Sequence, residues 1–372
     1  MKIVKEPTYK KDIVDSLGRF DERQNGFSRG RVDPSRSKYD RMHDRSVENI
    51  HRKVPGKTVL DHALWVSART VDYVLRQTQM AREGTALFNQ NLKLESCNPG
   101  EMSRIIKRVA RWLGADRVGI AEVNPLWIYT HWGHHSAHYC GGAQAGDPIE
   151  IQKEYRYAIV LIHEMDYDLI KRTPAVEPST DLAYSRMGEV ACSLATFVRE
   201  IGYKALPAGN ELALSIPLAV DAGLGELGRL GLLMTREFGP RCRISKVFTD
   251  LPLEVDRPID MGVQAFCEKC ERCAHHCPSG AIKSGEKTKE PRDQSTSPGM
   301  LKWPVHAMKC FDWWVKNGTH CSVCIRVCPW NKPDALLHRG VRFLAERELL
   351  TRFLVSMDER VGYGRQVIDF FD

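Results

Sequence analysis

Eight of the twelve cysteines in this 372-residue chain fall between Cys267 and Cys328. The first run reads Cys267-Glu268-Lys269-Cys270-Glu271-Arg272-Cys273-Ala274-His275-His276-Cys277-Pro278, a C-x2-C-x2-C-x3-C-P spacing. The second gathers Cys310, Cys321, Cys324 and Cys328 and ends in C-x2-C-x3-C-P at Pro329. Thiolates so spaced hold cubane [4Fe–4S] clusters, and the fourth Cys of such a run ligates the neighbouring cluster. Three thiolates two residues apart can wrap one face of a cubane from a single tight loop, while the Cys before Pro departs toward the second cubane. The expected sets are therefore Cys267, Cys270, Cys273 and Cys328 around one cluster, and Cys310, Cys321, Cys324 and Cys277 around the other. Zinc would favour two paired C-x2-C knuckles, and clustered thiols in a chain of cytosolic character disfavour disulfides.

Two other stretches carry residue types with chemistry. Between Trp127 and Gly142 lie His131, His134, His135 and His138, four imidazoles in eight residues. His131 and His135 have the i, i+4 spacing of a helix-borne metal pair, but the glutamate of H-E-x-x-H is missing and Gly133 argues against a helix. The expectation is a loop whose aromatic and imidazole side chains line a pocket, with plain surface histidines as the bland alternative. Further on, Gly223, Gly225, Gly228 and Gly231 fall within ten residues. They contain a formal G-x-G-x-x-G, yet no apolar strand runs into it and Glu237 and Asp250 straddle the place of the expected acidic residue, so a dinucleotide fingerprint is weak. Dense glycine instead suggests close approach of backbone to something flat or anionic.

The elements that must position these residues follow from periodicity. Residues 1–57 are polar loops and short helices. Apolar spacing predicts a helix from Thr58 to about Asn89, and another from Asn98-Pro99 to Gly114. A βα-type alternation then begins, with a strand at Arg117–Val123 and an all-apolar, central one at Ala158–His163. A helix with Thr180 as N-cap and Gly202 past its end carries Tyr184 in its first turn. A turn at Ala208-Gly209-Asn210 follows, and a strand at Arg241–Asp250 places Arg243 and Ser245 opposite Cys242 and Ile244. Residues 284–298 form a charged loop. One C-terminal helix, with Leu344, Leu349, Leu350, Phe353 and Leu354 on its face, ends near Val361-Gly362.

Composition bounds the class. The chain is 42% apolar and 27% charged, ordinary for a globular protein, and has no apolar run long enough to span a membrane. Of the net charge of +7, most sits in residues 1–60, which hold 15 Lys/Arg against 9 Asp/Glu. Interleaved acids and sparse aromatics make this a solvated arm that wraps the body; no nucleic-acid partner is expected. Neither an apolar leader nor a twin-Arg signal opens the chain, so a cytoplasmic location is expected, though a form with its signal removed would read the same.

In their order, the Gly-rich Ala222–Gly239 segment, Gly239-Pro240-Arg241-Cys242-Arg243, Thr249-Asp250-Leu251-Pro252-Leu253 and the double cysteine motif resemble the corrinoid-dependent reductive dehalogenases over roughly residues 100–332. The resemblance implies an α+β fold: a nitroreductase-like α/β core that binds a base-off cobamide, followed by a ferredoxin-like domain with two [4Fe–4S] clusters. It divides the chain into an N-terminal wrapping segment with helices (1–95), the core (96–258), the two-cluster domain (259–332) and a C-terminal helical segment (333–372). It also implies that electrons from an external reductant such as a ferredoxin or flavodoxin reach cobalt, which removes halogen from an organohalide. By motif position Tyr184 is the proton donor, with Asn210 nearby and Arg243 supporting the Tyr (Arg241 being the alternative). Gly223, Gly225, Gly228, Gly231, Arg241 and Thr249 are the implied corrinoid contacts. Two other functions compete: epoxyqueuosine reductase-like chemistry on a tRNA nucleoside, which would use a carboxylate in place of the Tyr, and a non-catalytic electron-transfer protein.

Overall fold

The computed structural model describes all residues except 33–36, 79–83, 85, 87–92, 95–97, 140–142, 152, 173–175, 334, 348–350 and 362–372. At its centre four strands, β1 (Arg117–Glu122), β2 (Tyr157–Glu164), β3 (Ala205–Ala208) and β4 (Cys242–Thr249), lie in the order β1-β2-β4-β3. Val, Ile and Ala fill β1 and β2, and residues 158–163 of β2 are buried on both faces, as its central place demands. Every pairing is antiparallel. Strands and helices alternate along the chain as expected, and neighbours in the sheet run in opposite directions although helices separate them in the chain.

Period-two alternation gives the sheet two apolar faces. One face, with Ile120, Ile159, Leu161 and Val247, packs on α4 (Pro99–Trp112) and α5 (Glu177–Glu200) through Ile106, Val190 and Leu194. The other, with Val160, Ile162 and Phe248, packs on the helix Ser215–Asp221 and on Tyr9, Phe20, Trp127 and Tyr129. Burying each such large side chain stabilises the fold by about 1.5–3 kcal/mol. Gly119 is required here, because a Cβ would stand 2.4 Å from the Ala222 carbonyl oxygen. A third core joins the cysteine-rich region to Met165, Ile170, Ala183, Leu230 and Met234.

Before the sheet, α1 (Lys38–His51), α2 (Val59–Ala68) and α3 (Thr70–Thr78) form a helical lead-in. The single helix expected from Thr58 is broken at Arg69. Thr58 and Asp61 close a reciprocal capping box that starts α2, and the stretch toward Asn89 lies partly outside the described residues. The long α5 begins one turn earlier than expected, so Thr180 is in its first turn and not its N-cap. Pro178 is tolerated there because first-turn N–H groups have no intrahelical partner. The His-rich stretch is also corrected, since His134–Tyr139 is a short helix and Gly133 lies before it; Cys140–Gly142 lie outside the described residues. At the C-terminus two helices, Leu336–Ala345 and Thr351–Arg360, replace the one expected, with Leu349, Leu350 and Gly362 outside the described residues.

Candidate active site

Tyr184, Asn210 and Arg243 come from α5, the loop after β3 and strand β4, and the structure brings them together. The Asn210 Nδ2 donates to the Tyr184 hydroxyl at 3.2 Å. The Arg243 guanidinium carbon stands 5.0 Å from the Tyr184 ring centroid, within cation–π range. Arg243 also reaches Thr180 Oγ1 at 3.5 Å, while its buried Nε has no protein partner. All three side chains are half-buried. A phenol beside a guanidinium and an amide can give up a proton with the resulting phenolate stabilised in place.

A brace invisible in the sequence holds Asn210. Lys246 is fully buried on the opposite face of β4, and its ammonium donates to Gly209 O at 2.5 Å, Ala213 O at 3.2 Å and Ser215 Oγ at 2.9 Å. Glu211, equally buried, accepts from the Gly209 N–H at 2.5 Å. Within this loop Leu212 adopts φ +70°, a left-handed conformation that costs a residue with a Cβ about 1–2 kcal/mol.

The residues named as corrinoid contacts also have neighbours within the chain. A Cβ at Gly223 would meet Arg257 O at 2.3 Å, and one at Gly225 would meet Met234 O at 2.3 Å. At Gly228 and Gly231 it would meet Met234 and Val305 side chains. The close approach is therefore to the chain's own atoms. Arg241 is buried on Asn331 (2.9 Å), Glu164 and Met165 O, and Thr249 donates to Lys204 O at 2.7 Å, so both have internal partners. Arg243, and not Arg241, is the arginine beside Tyr184. Among the described residues, the buried Arg243 Nε and His320 Nδ1 lack a hydrogen-bond partner, and the Trp314 side chain meets the Cys310 thiol. The Trp314 and His320 rings are 4.8 Å apart, and the charges of Arg243 and Arg69 help hold His320 neutral, its pKa pushed down to about 3 mainly by burial. A macrocycle rimmed with amides fits such a donor set.

The cysteines fall into the two expected sets. Cys267, Cys270, Cys273 and Cys328 line one cavity with Arg229, Phe266 and Trp330. The helix Val263–Cys270 delivers the first two thiols, Glu271 turns the chain at φ +52°, and Cys273 follows in the short helix Arg272–His275. In the second set, Cys310 lies on α6 (Ala307–Asn317) and Cys321 faces both Cys310 and Cys277, while Cys324 feels all three. Cys273 and Cys324 repel each other across the gap between the sets. The ten described cysteines form no disulfide. Burial and mutual repulsion push the Cys270, Cys273 and Cys310 thiols up to about 12. Thiols so costly to ionise, gathered in fours, suit a polynuclear iron core that supplies the compensating charge.

Arg229 escaped sequence reasoning. Wholly buried, it donates to the carbonyls of Cys267, Lys283 and Gly285, and lies 3.2 Å from Glu271. A lone Arg amid Gly and Leu was the available signal. Of the clustered histidines, two have polar partners within the chain. His135 accepts from Arg31 Nε at 3.2 Å and stacks on Tyr39, and His131 bonds Thr130.

Residues 266–331 match the 4Fe-4S double cluster binding domain family. The tetrachloroethene reductive dehalogenase of Desulfitobacterium hafniense is 38% identical over 312 residues, covering 75% of this chain and 56% of that protein. That of Sulfurospirillum multivorans is 35% identical over 305 residues, covering 75% and 60%. The chain thus spans little more than half the length of these relatives. The solved catabolic reductive dehalogenase NpRdhA matches with a TM-score of 0.77 at 27% identity, over 98% of this chain and 49% of that one. A reductive dehalogenase structure described as suggesting a mechanism for B12-dependent dehalogenation matches with a TM-score of 0.75 at 26% identity, over 98% and 49%. The double cysteine pocket, the Tyr-Asn-Arg constellation and these likenesses agree: the chain belongs to the reductive dehalogenase family.

Proposed function

We propose that this protein replaces a carbon-bound halogen by hydrogen, taking up two electrons and one proton and releasing halide. The carrying observation is the convergence of Tyr184, Asn210 and Arg243 in a chain that also gathers eight cysteines in two sets of four. The antiparallel sheet with cover on both faces supports a nitroreductase-like reading of the core. Cys267, Cys270, Cys273 and Cys328 would hold one [4Fe–4S] cluster, and Cys310, Cys321, Cys324 and Cys277 the other. His320, Trp314 and Arg243 would contact a corrinoid, read as a base-off cobamide, which supplies the low-valent cobalt that takes the halogen. Tyr184 donates the proton from its hydroxyl, Arg243 stabilises the phenolate left behind, and Asn210 orients that oxygen through its amide. Electrons would come from an external low-potential reductant such as a ferredoxin or flavodoxin. Among organohalides, tetrachloroethene is the first to try, because relatives at 35–38% identity are named for it.

The test is anaerobic reconstitution with iron, sulfide and cobamide, followed by chloride release from tetrachloroethene under a chemical reductant. Tyr184→Phe should lower turnover by roughly 100-fold or more, with cluster absorbance unchanged. Full turnover in that variant would sink the proton-donor role. Failure of the unaltered protein to retain any corrinoid would sink the reading as a whole.

A further inference from the structure

Among the described residues, Arg243 is one of two guanidiniums placed over the Tyr184 ring. The other, Arg69, sits at the joint where α2 gives way to α3, with its guanidinium carbon 5.8 Å from the Tyr184 ring centroid. Two carboxylates hold it: Asp181 Oδ1 is 3.5 Å from its Nη1, and Asp72 Oδ2 is 3.5 Å from its Nε. Asp181 is completely buried on α5, one turn before Tyr184, and its second oxygen accepts from the Trp65 indole N–H of α2. Asp72 is buried too, and its backbone N–H donates to Ser185 Oγ at 3.2 Å, the residue after Tyr184. Both lead-in helices are thereby tied to the turn of α5 that carries the phenol.

From this we infer that Arg69 is a second cationic positioning residue for Tyr184, so that α2 and α3 complete the active site as well as cover it. The inference rests on the reading of Tyr184 as proton donor and deepens it. A phenolate formed at Tyr184 would face Arg243 from β4, Arg69 from the α2–α3 joint, and the carboxylates of Asp181 and Asp72. His320, which feels both arginines, and His163, opposite Arg243 on β2, are held neutral mainly by burial. Without Arg69 the two carboxylates would lose one positive neighbour beside the developing negative charge, and proton donation would become harder. The joint itself follows: a helix continuous through residue 69 would have no break at the position where this side chain is placed.

Two readouts test the assignment. In protein grown on Cζ-labelled tyrosine, the Tyr184 resonance is identified by its loss in Tyr184→Phe, and its ionisation is followed by NMR. Arg69→Gln should move that midpoint to higher pH, Arg69→Lys should restore part of the shift, and Asp181→Asn should move it to lower pH. In the reconstituted enzyme, Arg69→Gln should lower kcat on the order of tenfold with little change in KM. An unmoved midpoint in a folded Arg69→Gln protein overturns the inference; if that variant does not fold, an unmoved midpoint in Asp181→Asn does so. Full activity of Tyr184→Phe would instead overturn the proton-donor reading, so the two failures are separable.

Discussion

The cysteine pockets and the Tyr184 site are built by opposite means. The first pocket draws three of its four thiols from Cys267–Cys273, where residue spacing and one left-handed residue, Glu271, fix the geometry locally. The second draws Cys321 and Cys324 from one turn, with Cys310 from the helix before it. The Tyr184 site draws Arg69, Tyr184, Asn210 and Arg243 from four segments that only the sheet and its covering helices bring together. A locally encoded site is robust to distant change and fragile to loss of one donor. A dispersed site behaves the other way, because its residues depend on braces such as Lys246 and Asp181 that never touch the substrate.

The strongest way to break this contrast is to remove one thiol. Cys324→Ala should abolish electron delivery and lower the iron content of reconstituted protein from about eight to about four per chain. Cys324 feels thiols of both sets, so the experiment also asks whether they assemble independently. Loss of all iron on colorimetric assay would show that the two pockets form one cooperative unit, against the local picture drawn here.

That contrast also explains what could be read in advance. The two cysteine sets were legible because ligand spacing is a one-dimensional signal. Strand β2 was legible as central because burial on both faces leaves an unbroken apolar run. Strand direction was not: antiparallel β1 and β2 carry the same residue types that parallel strands would. The start of α5 was misplaced by one turn because Thr180 has the chemistry of an N-cap, yet its hydroxyl is engaged by Arg243 from another element. The glycines at 223–231 did signal close approach, but sequence cannot say to what, and the chain's own backbone occupies the space. Arg69, Lys246 and Arg229 look like ordinary charges in a chain that holds 54 Lys and Arg. Only tertiary contact singles them out.

Arg229 is where a pocket of local design leans on a distant residue. Its guanidinium satisfies three backbone carbonyls and faces Glu271, with the Trp303 ring 4.3 Å from its central carbon. Replacing it by Met would take the donor from the Cys267 and Lys283 carbonyls, while Gly285 O keeps the Trp303 indole N–H and the half-buried Glu271 keeps the Gly285 N–H. The expected cost is about 3–5 kcal/mol, read as a lowered midpoint in anaerobic denaturant unfolding of the reconstituted protein. If Arg229→Met unfolds like the unaltered protein and keeps its iron, the Cys267 pocket is local in the full sense.

The smallest effect lies under the Tyr184 site. Glu22 is buried, accepts from the Gly133 N–H at 2.9 Å and from the Ser136 hydroxyl, and feels the charges of Glu211 and Lys246 in the brace below Asn210. Burial raises its carboxyl from the ordinary 4.5 to about 7. Between those two values the folded chain holds a proton that the unfolded chain has released, so stability falls as pH rises through that window and is level above it. Glu22→Gln cannot ionise, and should flatten the slope between pH of about 4.5 and 7, a difference of about 3 kcal/mol at the alkaline end. Denaturant midpoints at several pH values measure it, with iron content as the control. The dispersed site should respond while the cysteine pockets do not; an undiminished slope would mean that some other buried carboxyl, Asp221 or Glu226, carries the dependence.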